Sequence, residues 1–295
     1  MLKSRWRQFR PRNVIRMVSS KRAQTELWAQ ARERVHQIFP GRQIRDDALT
    51  LAIQSTRDQA NQTNDPVMWC VALILQAPRA AVAQEQMDRH PHGFRAKQER
   101  LFELIDFNDT YVSAVLSLPE EEISTFADEA KKAMDEFCKQ LRMRCFSNEQ
   151  YEAIMHGLSR EIAVYRGAIR EGYSVHMTNR VDDAFGIDMV VTDRETGRSI
   201  NIDVKTHSAF YYRLKDLMRE GRMTTEDAAR AEDVGYARIV NGDELRQERI
   251  VLFRLDQQTY GNIQNFSLAS TTVLGQKLAE ILQTVPVTDG AGILE

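Results

Sequence analysis

The sequence predicts an α/β chain, α+β over its whole length: an all-helical N-terminal domain followed by a mixed β-sheet flanked by helices. Three observations predict it. Up to about residue 146 the apolar residues recur at helical spacing, with breaks at Pro40-Gly41, Asp65-Pro66, Pro91-His92-Gly93 and Pro119. From Ser147 the pattern changes, and the order becomes helix, three strands, helix, strand, helix. Two of those strands, joined across Glu195-Thr196-Gly197, make a hairpin over residues 187–206.

In the helical part the longest apolar run, Trp69 to Leu75, reads as a buried helix, because it falls well short of the ~18 residues that a membrane span needs. No membrane is expected as a partner. The last helix is expected to start near Pro119, whose fixed φ suits a first turn, with Glu120, Glu121 and Glu122 at the positive end of the helix dipole. Its apolar stripe, Ile123, Phe126, Ala130, Met134, Phe137 and Leu141, packs on the same domain or on a second copy of the chain, which would make a homodimer.

The second part opens at Ser147, where S-N-E-Q is a capping box that pairs Ser147 with Gln150. The helix it starts is expected to run to about Arg170, with Ile154, Leu158, Ile162, Tyr165 and Ile169 buried and Glu161 at the margin of that face, looking inward. Gly172 supplies the left-handed turn into a strand. Strands then follow at 173–179, 187–193 and 199–206, a helix in FYYRLKDLMRE, a polar helix over 224–232, a strand at 249–256 and a closing helix over 270–283.

Composition sets the class. Of the 295 residues, 42% are hydrophobic and 28% charged, as in a globular domain, which excludes disordered and collagen-like chains. Cys70, Cys138 and Cys145 have neither C-x-x-C spacing nor the number of a disulfide framework, so a reducing, cytoplasmic setting is expected. Net charge is −2, unevenly spread: residues 1–22 carry eight Lys or Arg and no acid, leaving 32 basic against 42 acidic residues in the rest. Such an arm touches phosphate backbones, or is a solvated tail or a transit peptide. The expected organisation is a basic arm at 1–22, a helical domain at 23–146, an α/β domain at 147–285 and a tail at 286–295.

The chemistry gathers in the hairpin. Side chains alternate across a strand, so Asp203 and Lys205 share one face while Ile202 and Val204 take the other. Asp188 on the neighbouring strand can approach Asp203. Two carboxylates a few ångströms apart repel and desolvate badly, so the arrangement calls for a cation in the gap. Lys205 is one candidate. A hard divalent ion is the other, since Mg²⁺ takes oxygen ligands at ~2.1 Å and keeps several waters, so that two carboxylates and a backbone carbonyl suffice. The plain alternative is a salt bridge on an exposed sheet face.

Four elements together, the inward Glu161 on a helix, the G-I-D at Asp188, the D-V-K at Asp203 to Lys205, and the helix, strand, hairpin, helix order around them, resemble the PD-(D/E)XK nuclease superfamily over about residues 147–285. The resemblance implies a restriction-endonuclease-like fold and a metal-dependent endonuclease. It implies Asp188 as the first metal ligand, Asp203 as the (D/E), Lys205 as the K, and Glu161 as the acid that many members carry on the first helix. Ile187 stands where the superfamily's name has Pro. By the same resemblance Asp188, Asp203 and the Val204 carbonyl would hold Mg²⁺, with Mn²⁺ as a substitute, and Glu161 would bind a second metal or its water shell, to hydrolyse phosphodiester bonds to a 5′-phosphate and a 3′-hydroxyl. Lys205 would orient or deprotonate the attacking water.

Nucleic acid is therefore the expected partner, DNA ahead of RNA. The rival readings are an RNA or tRNA nuclease of toxin type and a catalytically silent nucleic-acid-binding or scaffolding protein. Asp182 and Asp183 are expected in a loop, reaching solvent or touching a second metal, and His207 on the Asp203 and Lys205 face. Tyr211 and Tyr212 are candidates for base stacking, with one of them expected in the core. Arg213, Lys215, Arg219 and Arg222 are candidates for tracking a phosphate backbone.

Overall fold

The computed structural model describes residues 12–41, 44–89, 98–178, 180–242 and 246–284. The Pro91-His92-Gly93 break, residues 1–11 of the basic arm and the tail at 286–295 lie outside them. The chain divides into two compact units, 1–82 with 113–145 and 83–112 with 146–295.

The first unit contains α1 (Arg12–Ile38), α2 (Asp46–Thr63), most of α3 (Pro66–Asp88), the end of α4 (Gln98–Leu116), a 3-10 turn (Glu120–Glu122) and α5 (Phe126–Leu141). Trp28 of α1 is fully buried with its ring 5.2 Å from that of Phe126. The stripe Ile123, Phe126, Ala130, Met134 and Phe137 is buried inside this unit. The expected start of the last helix is corrected. Pro119 is extended (ψ 145°) and leads only into the 3-10 turn, and α5 begins at Phe126. By length and composition α3 passes for a membrane span, but 78% of its most apolar window is buried inside the protein, as in a core helix.

The second unit holds α6 (Asn148–Arg170), β1 (Ser174–Met177), α7 (Arg180–Ala184), β2 (Met189–Thr192), β3 (Ser199–Lys205), α8 (His207–Arg219), α9 (Thr225–Val234), β4 (Tyr236–Gly242), β5 (Gln247–Arg254), α10 (Gln257–Tyr260), β6 (Ile263–Gln264), β7 (Ser267–Leu268) and α11 (Thr272–Gln283). The segment 83–112 belongs to this unit rather than to the other helices. Two of its rings explain why: Phe107 lies 5.0 Å from Phe146 and Tyr111 lies 6.1 Å from Phe266.

The sheet order is β1-β2-β3-β5-β4, antiparallel except for the parallel pair β3 and β5. The 187–206 hairpin forms as expected, with Met189 opposite Ile202 and Thr192 opposite Ser199. One sheet face carries Met189, Val191, Ile200, Ile202, Val204 and Phe253 into a core shared with α6 and α11. The other packs Ile239, Ile250 and Leu252 against Phe210, Leu214, Leu217, Ala228 and Ala231 of α8 and α9.

Two corrections concern this unit. The strand β4 was not expected; it pairs antiparallel with β5 from Tyr236↔Phe253 to Gly242↔Gln247, and its Y-A-R-I-V alternation is short and half polar, as suits an edge. In α6 the buried set is shifted. Met155, Leu158, Ile162, Ala163, Val164 and Ala168 are buried while Ile169 is exposed, because the helix turns small residues to the sheet and presents Gly167 to Leu274 of α11.

The capping box is present: Gln150 N–H donates to Ser147 Oγ at 3.1 Å, and Ser147 N–H donates to Gln150 Oε1 at 3.0 Å. Since α6 carries Glu161, this cap fixes one end of a helix that the site needs. Ser147→Ala is expected to lower stability by about 1 kcal/mol, read as a shift of the denaturation midpoint at unchanged slope.

Candidate active site

β3 has partners on both sides, which fixes its register and the direction of its side chains. The expected alternation holds. Ile202 and Val204 enter the core, and Asp203 and Lys205 take the opposite face. The strand ends at Lys205, and Thr206 caps α8 by accepting the Ala209 N–H at 3.1 Å. Lys205 thus sits at a turn held from both ends.

Asp188 lies one residue before β2. Its N–H donates to the Ile202 carbonyl at 2.9 Å, and its Oδ2 accepts the Val204 N–H at 2.6 Å. The Val204 backbone therefore orients the first carboxylate, while the Val204 side chain is core. Asp188 and Asp203 lie close enough to shift each other's titration. Asp203 is only 6% exposed. Its Oδ1 meets Lys205 Nζ in an ion pair but has no well-directed hydrogen bond.

Glu161 reaches this group from α6. Burial first, then repulsion from Asp183, raises its carboxyl to about 8. Burial likewise pushes Asp188 well above the usual carboxylate range, with Glu161 and Asp203 adding to it. Asp203 is raised by burial, partly offset by Lys205. Burial opposes the Lys205 charge, yet the attraction of Asp203 and Asp188 outweighs it and holds the ammonium above its ordinary value. The four residues singled out in the sequence are thus within electrostatic reach of one another, and the carboxyls outnumber the cation between them.

Asp183 joins them, which corrects the expectation of a solvated loop. It is half-buried on the short helix α7 and raised to about 6 by burial, with Lys205 opposing and Asp203 adding. Gly186 brings it in. At φ +79° this residue lets its N–H close on the Asp183 carbonyl at 2.7 Å, and its missing side chain leaves room 3.6 Å from Asp203 Oδ2. A glycine three residues after an aspartate was the signal in the sequence. Asp182 instead pairs with Arg246. Asp183→Asn is expected to weaken divalent-cation binding about tenfold and to lower the Glu161 titration, followed by carboxyl ¹³C shifts. An unmoved Glu161 titration would show that Asp183 does not face it.

Among the described residues no three His, Cys, Asp or Glu side chains converge into a ready-made metal cage. The donors nonetheless suit a hard divalent ion: they are carboxylate oxygens, they repel one another, and Asp203 keeps a buried oxygen short of hydrogen bonds.

The outlying candidates fare differently. His207 opens α8 and is exposed, because the strand has ended and its alternation with it. Neither tyrosine is in the core: Tyr211 is 37% and Tyr212 65% exposed, since Phe210, Leu214 and Leu217 form the buried stripe of α8. Arg213 approaches Glu220 at 3.8 Å and also lowers Asp203 electrostatically. Arg219 pairs with Asp216 and Arg222 with Glu220, while Lys215 lies over the Tyr211 ring at 4.2 Å. Three of the four basic residues of the proposed phosphate track are therefore held by its own two acids.

No protein-family model, no curated protein and no solved structure matches the chain.

Proposed function

We propose that this chain is a metal-dependent endonuclease of the PD-(D/E)XK type that hydrolyses phosphodiester bonds of nucleic acid, DNA in preference to RNA. What carries the reading is one juxtaposition: Asp203 and Lys205 at the end of a central strand, beside an Asp188 carboxylate held by the Val204 N–H, with Glu161 entering from the preceding helix. The reading is supported by the likeness of these positions to the superfamily's motif, with Ile187 in the place of its Pro.

Asp188, Asp203 and Glu161 would hold Mg²⁺ or Mn²⁺, which when bound supplies Lewis acidity and a more acidic water. The protein's own groups do the rest. The Val204 N–H fixes Asp188 and so limits how far its carboxylate can rotate. Lys205 remains protonated at neutral pH because of the carboxyls around it, and so offers a fixed positive charge to the phosphate as negative charge develops on its oxygens. Glu161, raised to about 8, is partly protonated near neutral pH and can hold a proton beside the reacting water.

The test is incubation of the full chain with supercoiled, linear, branched and single-stranded DNA and with tRNA, in Mg²⁺, Mn²⁺ or EDTA. Cleavage of DNA that EDTA abolishes is the expected result. Binding without cleavage of any substrate would make the domain a binding module, and cleavage of tRNA alone would make it an RNA nuclease.

A further inference from the structure

Two free cysteines, Cys138 and Cys145, lie in the first unit, away from the carboxylate cluster in the second. α5 ends in a chain reversal: Arg142 adopts a left-handed conformation (φ 57°), its N–H donates to the Lys139 carbonyl at 3.2 Å, and the Met143 N–H donates to the Cys138 carbonyl at 2.9 Å. This pair of bonds is the Schellman arrangement, which folds the chain back along the last helical turn. Two residues further on, the reversed chain brings Cys145 near enough to Cys138 for the two thiols to interact. Neither is in a disulfide, Cys138 is buried and Cys145 is half-exposed. Cys70, the third cysteine, is buried in α3.

We propose that Cys145 and Cys138 form an oxidative modification site at which a hydroperoxide converts the two neighbouring thiols into a reversible disulfide, closing the turn between α5 and α6. Cys145 is the partner that solvent reaches, so it meets the oxidant. With hydrogen peroxide, its sulfur attacks one oxygen, the O–O bond breaks, Cys145 becomes the sulfenic acid, and the other oxygen leaves with the thiol proton as one water. The Cys138 sulfur then attacks the Cys145 sulfur, the S–O bond breaks, and the hydroxide departs with the Cys138 proton as a second water. Two thiols lose two electrons and the hydroperoxide gains them. The neighbouring Cys145 thiol, then burial, keeps Cys138 a thiol rather than a thiolate. It is therefore slow to react with oxidant directly and is placed to resolve its neighbour instead.

The site sits where the chain passes from one compact unit into the next, since Cys145 ends the first and Phe146 resumes the second.

The test treats reduced, full-length protein with hydrogen peroxide, blocks remaining thiols with iodoacetamide and maps peptides by mass spectrometry without reduction. The expected product is a Cys138–Cys145 link with the loss of two hydrogens per chain, restored by dithiothreitol. Cys145 should be oxidised at least about tenfold faster than Cys70, following exposure. Cys138→Ser should leave Cys145 as a sulfenic acid that dimedone traps, and Cys145→Ser should leave Cys138 reduced. The wild-type map needs no variant to fold. Oxidation of Cys145 to the sulfinic acid or into intermolecular dimers without the internal link would overturn the proposal, as would a folded chain that resists peroxide while its urea-unfolded form reacts.

Discussion

Asp203→Asn should cut cleavage by orders of magnitude while leaving the protein at least as stable as wild type, and this divergence is the result to expect if the cluster is catalytic. In the proposed site the Asp203 carboxylate is a metal ligand, and losing it should lower kcat on the order of 10²–10³-fold, as does removal of a single group that stabilises the charge of a transition state. Asparagine keeps the shape, so the substrate should still bind, and most of the loss should fall on kcat rather than KM. Stability should move the other way. Asp203 is buried among Asp188, Glu161 and Asp183, so removing its charge relieves repulsion and desolvation that the single Lys205 does not fully offset. Lys205→Met completes the comparison: it keeps the apolar stem, loses the ammonium, and should reduce activity and stability together. If the pair were only a structural salt bridge, both substitutions would destabilise and neither would touch cleavage. Melting curves and single-turnover cleavage on the two variants separate these cases.

The main lines of this arrangement were legible because short-range physics dictates them. The alternation of Asp203 and Lys205 against Ile202 and Val204 follows from the period of a strand, and the hairpin register places Asp188 next to Ile202 and Val204. The Ser147 box declared the start of α6, and with it the helical position of Glu161. What was not legible depended on long-range closure. β4 is a strand because β5 offers it an edge from residue 247 to 253, a fact that no local pattern in Y-A-R-I-V contains. The grouping of residues 83–112 with the sheet unit depends on Phe107 and Tyr111 finding Phe146 and Phe266, rings 39 and 155 positions away in the chain.

Charge was the least legible quantity. From Arg213 to Arg222 the sequence holds four basic and two acidic residues, and in the fold three of the four, Arg213, Arg219 and Arg222, are tied to those two acids. Asp183 illustrates the reverse case. Its sequence neighbours suggested solvent, and the turn at Gly186 carried it inward, where burial rather than composition sets its titration. In both cases the folded partner, not the residue type, decides whether the charge is available.

The second large effect is on stability without metal. Glu161 titrates at about 8 in the folded chain against an ordinary 4.5, and Asp183 at about 6 against 3.8, burial being the first cause of both shifts. The folded state therefore holds these protons more tightly than the unfolded one. Their stabilising contribution is complete below about pH 4, and it is lost as pH rises through 6 and then 8. The melting temperature of EDTA-treated protein should fall over that window. Glu161→Gln should remove much of the slope, and at pH 8 it should be the more stable protein by about 2 kcal/mol. That value discounts the full linkage for the partial exposure of the side chain, and it corresponds to roughly 4–8 °C in a unit of this size. A bound divalent ion favours the deprotonated carboxylates, so Mg²⁺ or the inert Ca²⁺ should restore wild-type stability, more at pH 8 than at pH 6, and should release protons on binding. The Gln variant should gain less from metal and should fail to cleave. A melting temperature that is flat with pH in EDTA, or a metal effect equal at both pH values and in both proteins, would mean that these carboxyls do not share one cation. The proposed site would then lose the feature on which its chemistry depends: a charge cluster that the fold tolerates at a cost and that a metal ion relieves.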